Sequence, residues 1–323
     1  MIGLSGVMAF LRQEFADKLH RLAANGVYFG TSSWKYPGWV GSIYEHDRYV
    51  WRGKFSEARF ERTCLAEYAE TFPAVSVDAS YYQFFKQSAL EAMAAQVPDH
   101  FLFGFKVCGD ITLKRFPNLP RFGPRAGADN PRFLDSTLFN DATLVAAEGI
   151  RSKVGLFMFE FSHFHSNEFE RGGQFVEALD AFFDQLPKGW PYGVELRNRQ
   201  WLQPEYFAML HRHGVTHIYN GWTDMPPVPQ QMAIAGSDTN PDLLAARFLL
   251  KEGRTFDAAV KKFSPYEEIK EPNPESRAAA GALARRVLNT GGKTKALIFV
   301  NNRFEGNSPS TIRAILDSME NAP

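Results

Sequence analysis

Three observations make this chain a single (β/α)8 barrel in expectation. Eight short apolar runs rich in Val, Ile, Phe and Tyr recur along its 323 residues. Segments with helical spacing lie between several of them, as alternating strands and helices of a parallel sheet require. No GxGxxG or GxxxxGK[ST] signature follows any run, which weakens the competing doubly wound nucleotide-binding sheet.

The elements follow in order. An amphipathic helix opens the chain, with Met8, Phe10, Leu11, Phe15, Leu19 and Leu22 as its apolar positions. It is expected as an extra N-terminal helix over residues 1–26 that covers the bottom of the barrel, because an apolar stripe needs a surface to cover. The barrel domain is expected over residues 27–319. Strands are predicted at Val27–Thr31, Ala74–Ala79, Phe101–Val107, Val154–Phe159, Tyr192–Leu196, Val215–Tyr219, Leu244–Leu249 and Lys295–Val300. Helical stripes run through Cys64, Leu65, Tyr68 and Phe72, through Phe175, Leu179, Phe182, Phe183 and Leu186, and through Ile312, Ile315, Leu316 and Met319. Ser308 is the expected N-cap of the last helix, with Pro309 at its first position, and Gly214 is an expected helix stop. A long Pro- and Gly-bearing loop follows the third strand at Cys108–Ser152, and a second loop spans Met225–Pro241; long loops in a compact domain are often functional.

Composition removes several function classes. With 36 basic and 36 acidic residues the formal charge is zero, which argues against a global electrostatic grip on nucleic acid or anionic membrane and leaves only a local patch. The two cysteines, Cys64 and Cys108, form neither a CxxC pair nor a disulfide framework, so a reducing, cytoplasmic setting is expected. No run is apolar enough for a signal peptide or a membrane span, and no membrane partner is expected.

In such a barrel the site lies at the C-terminal ends of the strands. Those positions are polar here. The first strand ends at Thr31 and leads to Trp34. The second gives Asp78, Ser80 and Tyr82 on one face, with Tyr81 opposite. The third ends in Lys106 and the fourth in Glu160. On the fifth, the two-residue period of a strand places Gly193, Glu195 and Arg197 on one face and Val194 and Leu196 on the other. Asn220 and Trp222 follow the sixth, Arg247 lies on the seventh, and Asn301 and Asn302 follow the eighth. Each has a structural reading too. Glu195 and Arg197 can be a rim ion pair, Lys106 can snorkel, Trp34, Tyr81, Tyr82 and Trp201 can pack, and the asparagines can cap. Their coincidence at one end of many strands is what favours a site.

The chemistry of that set is a concave site with carboxylates, three cations and aromatic walls. Glu195, Lys106 and Asp78 are the expected acid/base groups. Arg197, Arg247, Asn301, Asn302, Trp34, Tyr82, Glu160, Thr31 and Trp201 are the expected substrate contacts. Lys and Arg suit a phosphate or carboxylate, and Asn301 and Asn302 precede a helix N-terminus that suits the same ligand. Lys114, Arg115, Arg121, Arg125 and Arg132 in the loop after Lys106 form either a solvated surface or a phosphate grip. No cofactor is evident. His163 with His165, and His211 with His213, are the candidates for a divalent metal, though none has an HExxH spacing. No GxSxG elbow is present.

Five segments in order carry a resemblance. They are Gly30-Thr-Ser-Ser-Trp34-Lys-Tyr-Pro37-Gly-Trp39, the stretch from Tyr68 through Phe72, Val75, Val77 and Asp78 to Ser80-Tyr-Tyr82, Phe103-x-Phe105-Lys106 with Ile111-Thr112, Glu195-Leu-Arg197-x-x-x-Trp201, and Phe299-Val-Asn301-Asn302. Together they resemble the domain-of-unknown-function-72 (YecE-like) family from about Tyr28 to Leu316. The resemblance implies a TIM-barrel fold and no settled activity. Asp78 and Ala79 stand where the family usually has Glu and Asn, Glu160 where it has Gln, and Leu113 where a His is common.

Three functions are consistent with these residues. The first is an enzyme acting by acid/base chemistry on a small phosphorylated or carboxylated compound, a sugar among the candidates. The second is a nucleic-acid or DNA-repair protein, by analogy with endonuclease IV barrels. The third is a non-catalytic ligand sensor. Because functional polar clusters are strained, Glu195→Gln and Lys106→Ala are expected to leave the fold intact or to stabilise it.

Overall fold

The computed structural model describes the backbone of residues 4–320 and the side chains of residues 11–320. Eight parallel strands close into a barrel. They are β1 (Val27–Ser32), β2 (Ala74–Val77), β3 (Leu102–Lys106), β4 (Val154–Phe161), β5 (Tyr192–Leu196), β6 (Thr216–Gly221), β7 (Leu243–Phe248) and β8 (Lys295–Val300). Each pairs with its neighbours in sequence, and β8 pairs with β1 to close the ring. The longer helices are α1 (Leu4–Ala24), α2 (Glu57–Thr71), α3 (Gln87–Ala94), α4 (Gly172–Asp184), α5 (Pro204–His213), α6 (Phe256–Phe263), α7 (Pro274–Leu288) and α8 (Ser308–Glu320). No helix among the described residues is long and apolar enough to cross a membrane.

The differences from the sequence expectation have local causes. The second strand ends at Val77, and Asp78–Tyr81 forms a 3-10 turn. The segment Cys108–Ser152 is partly helical, with Ser136–Phe139 and Val145–Ala147 joined through a π turn at Asn140–Leu144. Asp135 caps this run by accepting the Leu138 N–H at 2.8 Å, while the π turn breaks the 3.6-residue period that would reveal it. A short helix, Val228–Met232, also interrupts the second long loop. The cap of α8 falls to Asn307, whose Oδ1 accepts the Ser310 N–H at 2.8 Å. Ser308 instead donates its hydroxyl to Asn302 Oδ1 at 2.8 Å. Gly214 ends α5 at φ 65°, as expected.

Helix α1 lies on the flank of the barrel, not under its floor. Arg12 reaches Glu67 of α2 at 3.1 Å, and Lys18 reaches Glu320 of α8 at 3.0 Å. Phe15 and Leu19 join one apolar cluster with Val27 and Phe29 on the outer face of β1. That face is the apolar surface the stripe needed. Met8 and Phe10 lie outside the described side chains.

The two-residue period of the strands builds the site. Tyr28, Ala74, Leu102, Leu156, Met158, Ile218, Leu243, Ala245, Leu297 and Phe299 form the barrel interior. Glycines give this lumen its room. A Cβ at Gly104 would lie 2.9 Å from the Phe299 ring, and one at Gly193 would lie 3.0 Å from Leu156. Followed upward, the same inward faces become Ser32, Ser76, Lys106, Glu160, Glu195, Asn220, Arg247 and Asn301. The outward faces stay apolar and pack on the helices.

Gly30 marks the closest approach of this wall. It pairs with Ala74 where β1 meets β2, and a Cβ there would lie 2.2 Å from the Ala74 carbonyl oxygen. The neighbour is backbone and cannot rotate away. Gly30→Ala is therefore expected to destabilise by about 3 kcal/mol, the upper range for overpacking. Urea denaturation checks this, and an unchanged midpoint would mean that the two strands part easily.

Candidate functional site at the C-terminal mouth of the barrel

Six charged side chains from strand ends meet at the C-terminal mouth. Arg247 bridges three carboxylates: its Nη1 lies 2.6 Å from Glu195 Oε2 and 3.3 Å from Glu160 Oε2, and its Nη2 lies 2.8 Å from Asp78 Oδ1. Arg197 folds back from just beyond β5. It donates Nε and Nη2 to Glu195 Oε1 at 2.9 and 2.7 Å, and Nη2 also lies 2.7 Å from Glu160 Oε2. Lys106 Nζ completes the ring at 2.6 Å from the same Glu160 oxygen. Two aromatic faces close the sides. Lys106 Nζ sits 3.9 Å from the centre of the Tyr81 ring, and the Arg197 guanidinium 3.6 Å from that of Trp222. Both are cation–π contacts in a desolvated setting, where they are strongest.

Burial is deepest at the centre, where Glu195 and Arg247 are sealed from solvent. Charges in such a place are tolerated only when paired and hydrogen-bonded. Burial would raise the Glu160 carboxyl, yet Arg197, Lys106 and Arg247 together hold it down at about 2. Burial lowers the Lys106 ammonium below its usual range, against the pull of Glu160 and Asp78. Burial also works against the charge on Arg247, but Glu195, Asp78 and Glu160 more than offset it and keep its pKa raised.

The structure thus brings together Asp78, Lys106, Glu160, Glu195, Arg197 and Arg247. Asn301 and Asn302 stand beside them at the end of β8. Asn301 caps the short helix Asn302–Glu305 by accepting the Arg303 N–H at 2.9 Å. Trp34, just beyond β1, is buried, and its indole N–H has no partner among the described residues. Three other predicted contacts lie elsewhere. Thr31 points to the outer wall, its Oγ1 2.8 Å from the Tyr68 hydroxyl of α2. Trp201 stacks on Phe164 and Phe175 behind the mouth. Tyr82 is 65% exposed, with Arg121 beside its ring. The 3-10 turn explains the last case: it advances about a third of a turn per residue instead of alternating, so Tyr81 reaches the site.

Two contributing residues, Ser76 and Tyr36, are absent from the sequence expectation, and a third, Tyr81, is expected there on the opposite face. Ser76 donates to Asp78 Oδ1 at 2.9 Å. Tyr81 walls the lysine. Tyr36 carries a phenol pushed up to about 12 by burial, near Arg303, Asp78 and Asn302. Ser76 was legible, since Ala74, Ser76 and Asp78 share a strand parity.

Three of the five basic side chains of the loop pair with carboxylates near it, and Arg121 lies over the Tyr82 and Phe122 rings. Arg115 pairs with Asp129 at 2.8 Å, Arg125 with Asp110 at 3.0 Å and Arg132 with Asp135 at 2.9 Å. Lys114 Nζ lies 3.6 Å from the centre of the Phe169 ring. Of the histidine pairs, His163 and His165 pack edge to face, His213 contacts Asp180 at 2.6 Å, and His211 the Thr239 carbonyl at 3.2 Å. Among the described residues no group of three or more His, Cys, Asp or Glu side chains is arranged to hold a metal ion.

Comparison with known proteins places this architecture. No curated protein matches the chain. A crystal structure of a DUF72 family protein from Enterococcus faecalis V583 superposes with a TM-score of 0.57 at 18% identity, covering 90% of this chain and 95% of that one. One from Thermotoga maritima MSB8 gives 0.56 at 18% identity, covering 91% and 99%. At such identities the likeness shows the fold alone. Residues 28–323 match the family described as "Protein of unknown function DUF72", and the chain belongs to that family.

Proposed function

We propose that the mouth of this barrel is the active site of an enzyme acting by acid/base chemistry on a small anionic compound, phosphorylated or carboxylated. One observation carries the reading. Of the six charged side chains, Asp78 and Lys106 alone keep appreciable contact with solvent, at 29% and 13% of their side-chain surface, against at most 8% for the others. Those two groups therefore meet a substrate first.

Their roles follow from their partners. Asp78 Oδ1 accepts from Arg247 Nη2 and the Ser76 hydroxyl, which leaves the carboxylate anchored at one oxygen and usable as a base at the other. Lys106 holds the substrate anion against the Tyr81 face, and burial makes its proton easier to give up. Glu160 Oε2 faces Lys106, Arg197 and Arg247 at once, so a substrate anion can share the Lys106 ammonium with it while the two arginines hold Glu160 in place. Glu195 has both oxygens filled by guanidinium donors and acts as frame for Arg197 and Arg247.

A thermal-shift comparison of wild type and Lys106→Ala tests this, with sugar phosphates, small carboxylates, nucleotides and abasic-site DNA as probes. A small anion at a hundred times its Kd is expected to stabilise wild type by about 2.7 kcal/mol, and the variant far less. Stabilisation by DNA alone, lost at high salt, would replace this reading with nucleic-acid binding. A ligand that shifts both proteins equally would place binding elsewhere.

A further inference from the structure

The mouth has two unlike halves. The strands β2, β3, β4 and β5 contribute Asp78, Lys106, Glu160 and Glu195; Lys106 pairs with Glu160, while Asp78 and Glu195 pair with Arg247 and Arg197. The other four strands are consecutive around the ring in the order β6, β7, β8, β1. Each ends in an inward polar group that no described residue satisfies. These are Asn220 Oδ1 on β6, Arg247 Nε on β7, Asn301 Nδ2 after β8 and Ser32 Oγ on β1. All four residues are at most 2% exposed. The register places them together, since Asn220 pairs with Arg247, and Thr31 pairs with Val300, one residue before Ser32 and Asn301.

Buried polar groups are almost always hydrogen-bonded, so orphans gathered at the ends of four adjacent strands point to what that side of the mouth receives. Their chemistry is mixed. The Asn301 amide nitrogen and the Arg247 Nε–H donate, Asn220 Oδ1 accepts, and the Ser32 hydroxyl does either. A fully ionised phosphate monoester or carboxylate group only accepts, and leaves Asn220 Oδ1 unsatisfied. A hydroxyl both donates and accepts. Resting on the reading that the mouth is the active site, we infer that the substrate is a polyhydroxylated anion, a sugar phosphate or sugar acid. Its hydroxyls lie along β6, β7, β8 and β1, and its charged end faces Lys106. The tyrosine phenol of Tyr36, close to Asn302 and Asp78, borders the same wall.

Calorimetric titration separates this inference from the reading beneath it. The probes are ribose 5-phosphate, glucose 6-phosphate and gluconate, against methyl phosphate and acetate. The proteins are wild type, Lys106→Ala, Ser32→Ala and Asn301→Ser. The serine keeps a capping oxygen for the Arg303 N–H while removing the amide donor. At least one hydroxylated anion is expected to bind wild type tenfold or more tighter than the bare anion of the same charge type. That advantage is expected to fall about tenfold in Ser32→Ala and in Asn301→Ser, with bare-anion binding unchanged, whereas Lys106→Ala weakens both kinds. Equal wild-type affinity for bare and hydroxylated anions, or equal weakening of both by Ser32→Ala, would overturn the hydroxyl wall and leave the anion site standing. Binding of no probe, or binding that Lys106→Ala leaves untouched, would overturn both.

Discussion

Glu195→Ala is expected to cost about 3–5 kcal/mol of unfolding free energy, the range for stranding a partner of a buried ion pair. The carboxylate is fully sealed, accepts Nε and Nη2 of Arg197 at one oxygen, and accepts Nη1 of Arg247 at the other. Deleting it leaves two buried guanidiniums facing one carboxylate fewer, with no solvent to take its place. Glu195→Gln keeps the shape but turns an amide nitrogen toward one guanidinium, so a loss of the same sign is expected. This geometry replaces the sequence-based expectation of an intact or stabilised variant for Glu195. It keeps that expectation for Lys106→Ala. Lys106 sits at the open edge, its removal leaves Glu160 with two arginines, and it relieves a buried ammonium. Its stability is expected to stay within about 1 kcal/mol of wild type. Urea denaturation of the two variants side by side checks the contrast. Equal, small losses in both would show that the network does not hold the rim.

That contrast also marks how far periodicity carries. The parity of Gly193, Glu195 and Arg197 fixed which face of β5 is charged, and the same parity puts Lys106, Glu160 and Arg247 on inward faces. Parity says nothing of partners. Arg247 meets Asp78 across 169 residues and Glu160 across 87, contacts that exist only because the ring closes. Thr31 shows parity left unused: it stands one residue from Ser32 and so faces α2. Tyr81 and Tyr82 show where parity stops applying, because the strand had already become a 3-10 turn at Asp78. Trp201 could not be placed from its own segment, since its stacking partners Phe164 and Phe175 come from the β4–α4 connection and from α4. The helix inside Cys108–Ser152 was hidden for a similar reason, its period broken at the π turn.

Acid is expected to weaken this fold already between pH 6.5 and 4.5 through His217, on the outer face of β6. Its ring is packed among Tyr206, Phe207 and Tyr219. Nδ1 meets the Tyr206 hydroxyl at 3.2 Å, while Nε2 has no partner among the described residues. Burial pulls the imidazole down to about 3, against a small opposing pull from Asp238. The unfolded chain, with an ordinary value near 6.5, therefore binds a proton that the folded chain refuses. Stability from this group is complete above about pH 6.5 and falls as the pH drops toward 3, by about 2 kcal/mol at pH 5. Glu160 acts with the same sign in a lower window. Held at about 2 against an ordinary 4.5, it contributes stability above 4.5 that is lost between 4.5 and 2. The window between pH 6.5 and 4.5 thus separates His217 from Glu160, and the variant below singles it out from the other histidines. His217→Phe keeps the ring packing and removes the titration, so the stability gap between wild type and variant is expected to shift by about 2 kcal/mol, in the variant's favour, from pH 8 to pH 5. A gap that stays constant across that range in denaturation experiments would mean that His217 accepts its proton in the folded state, and that the barrel wall opens to let it.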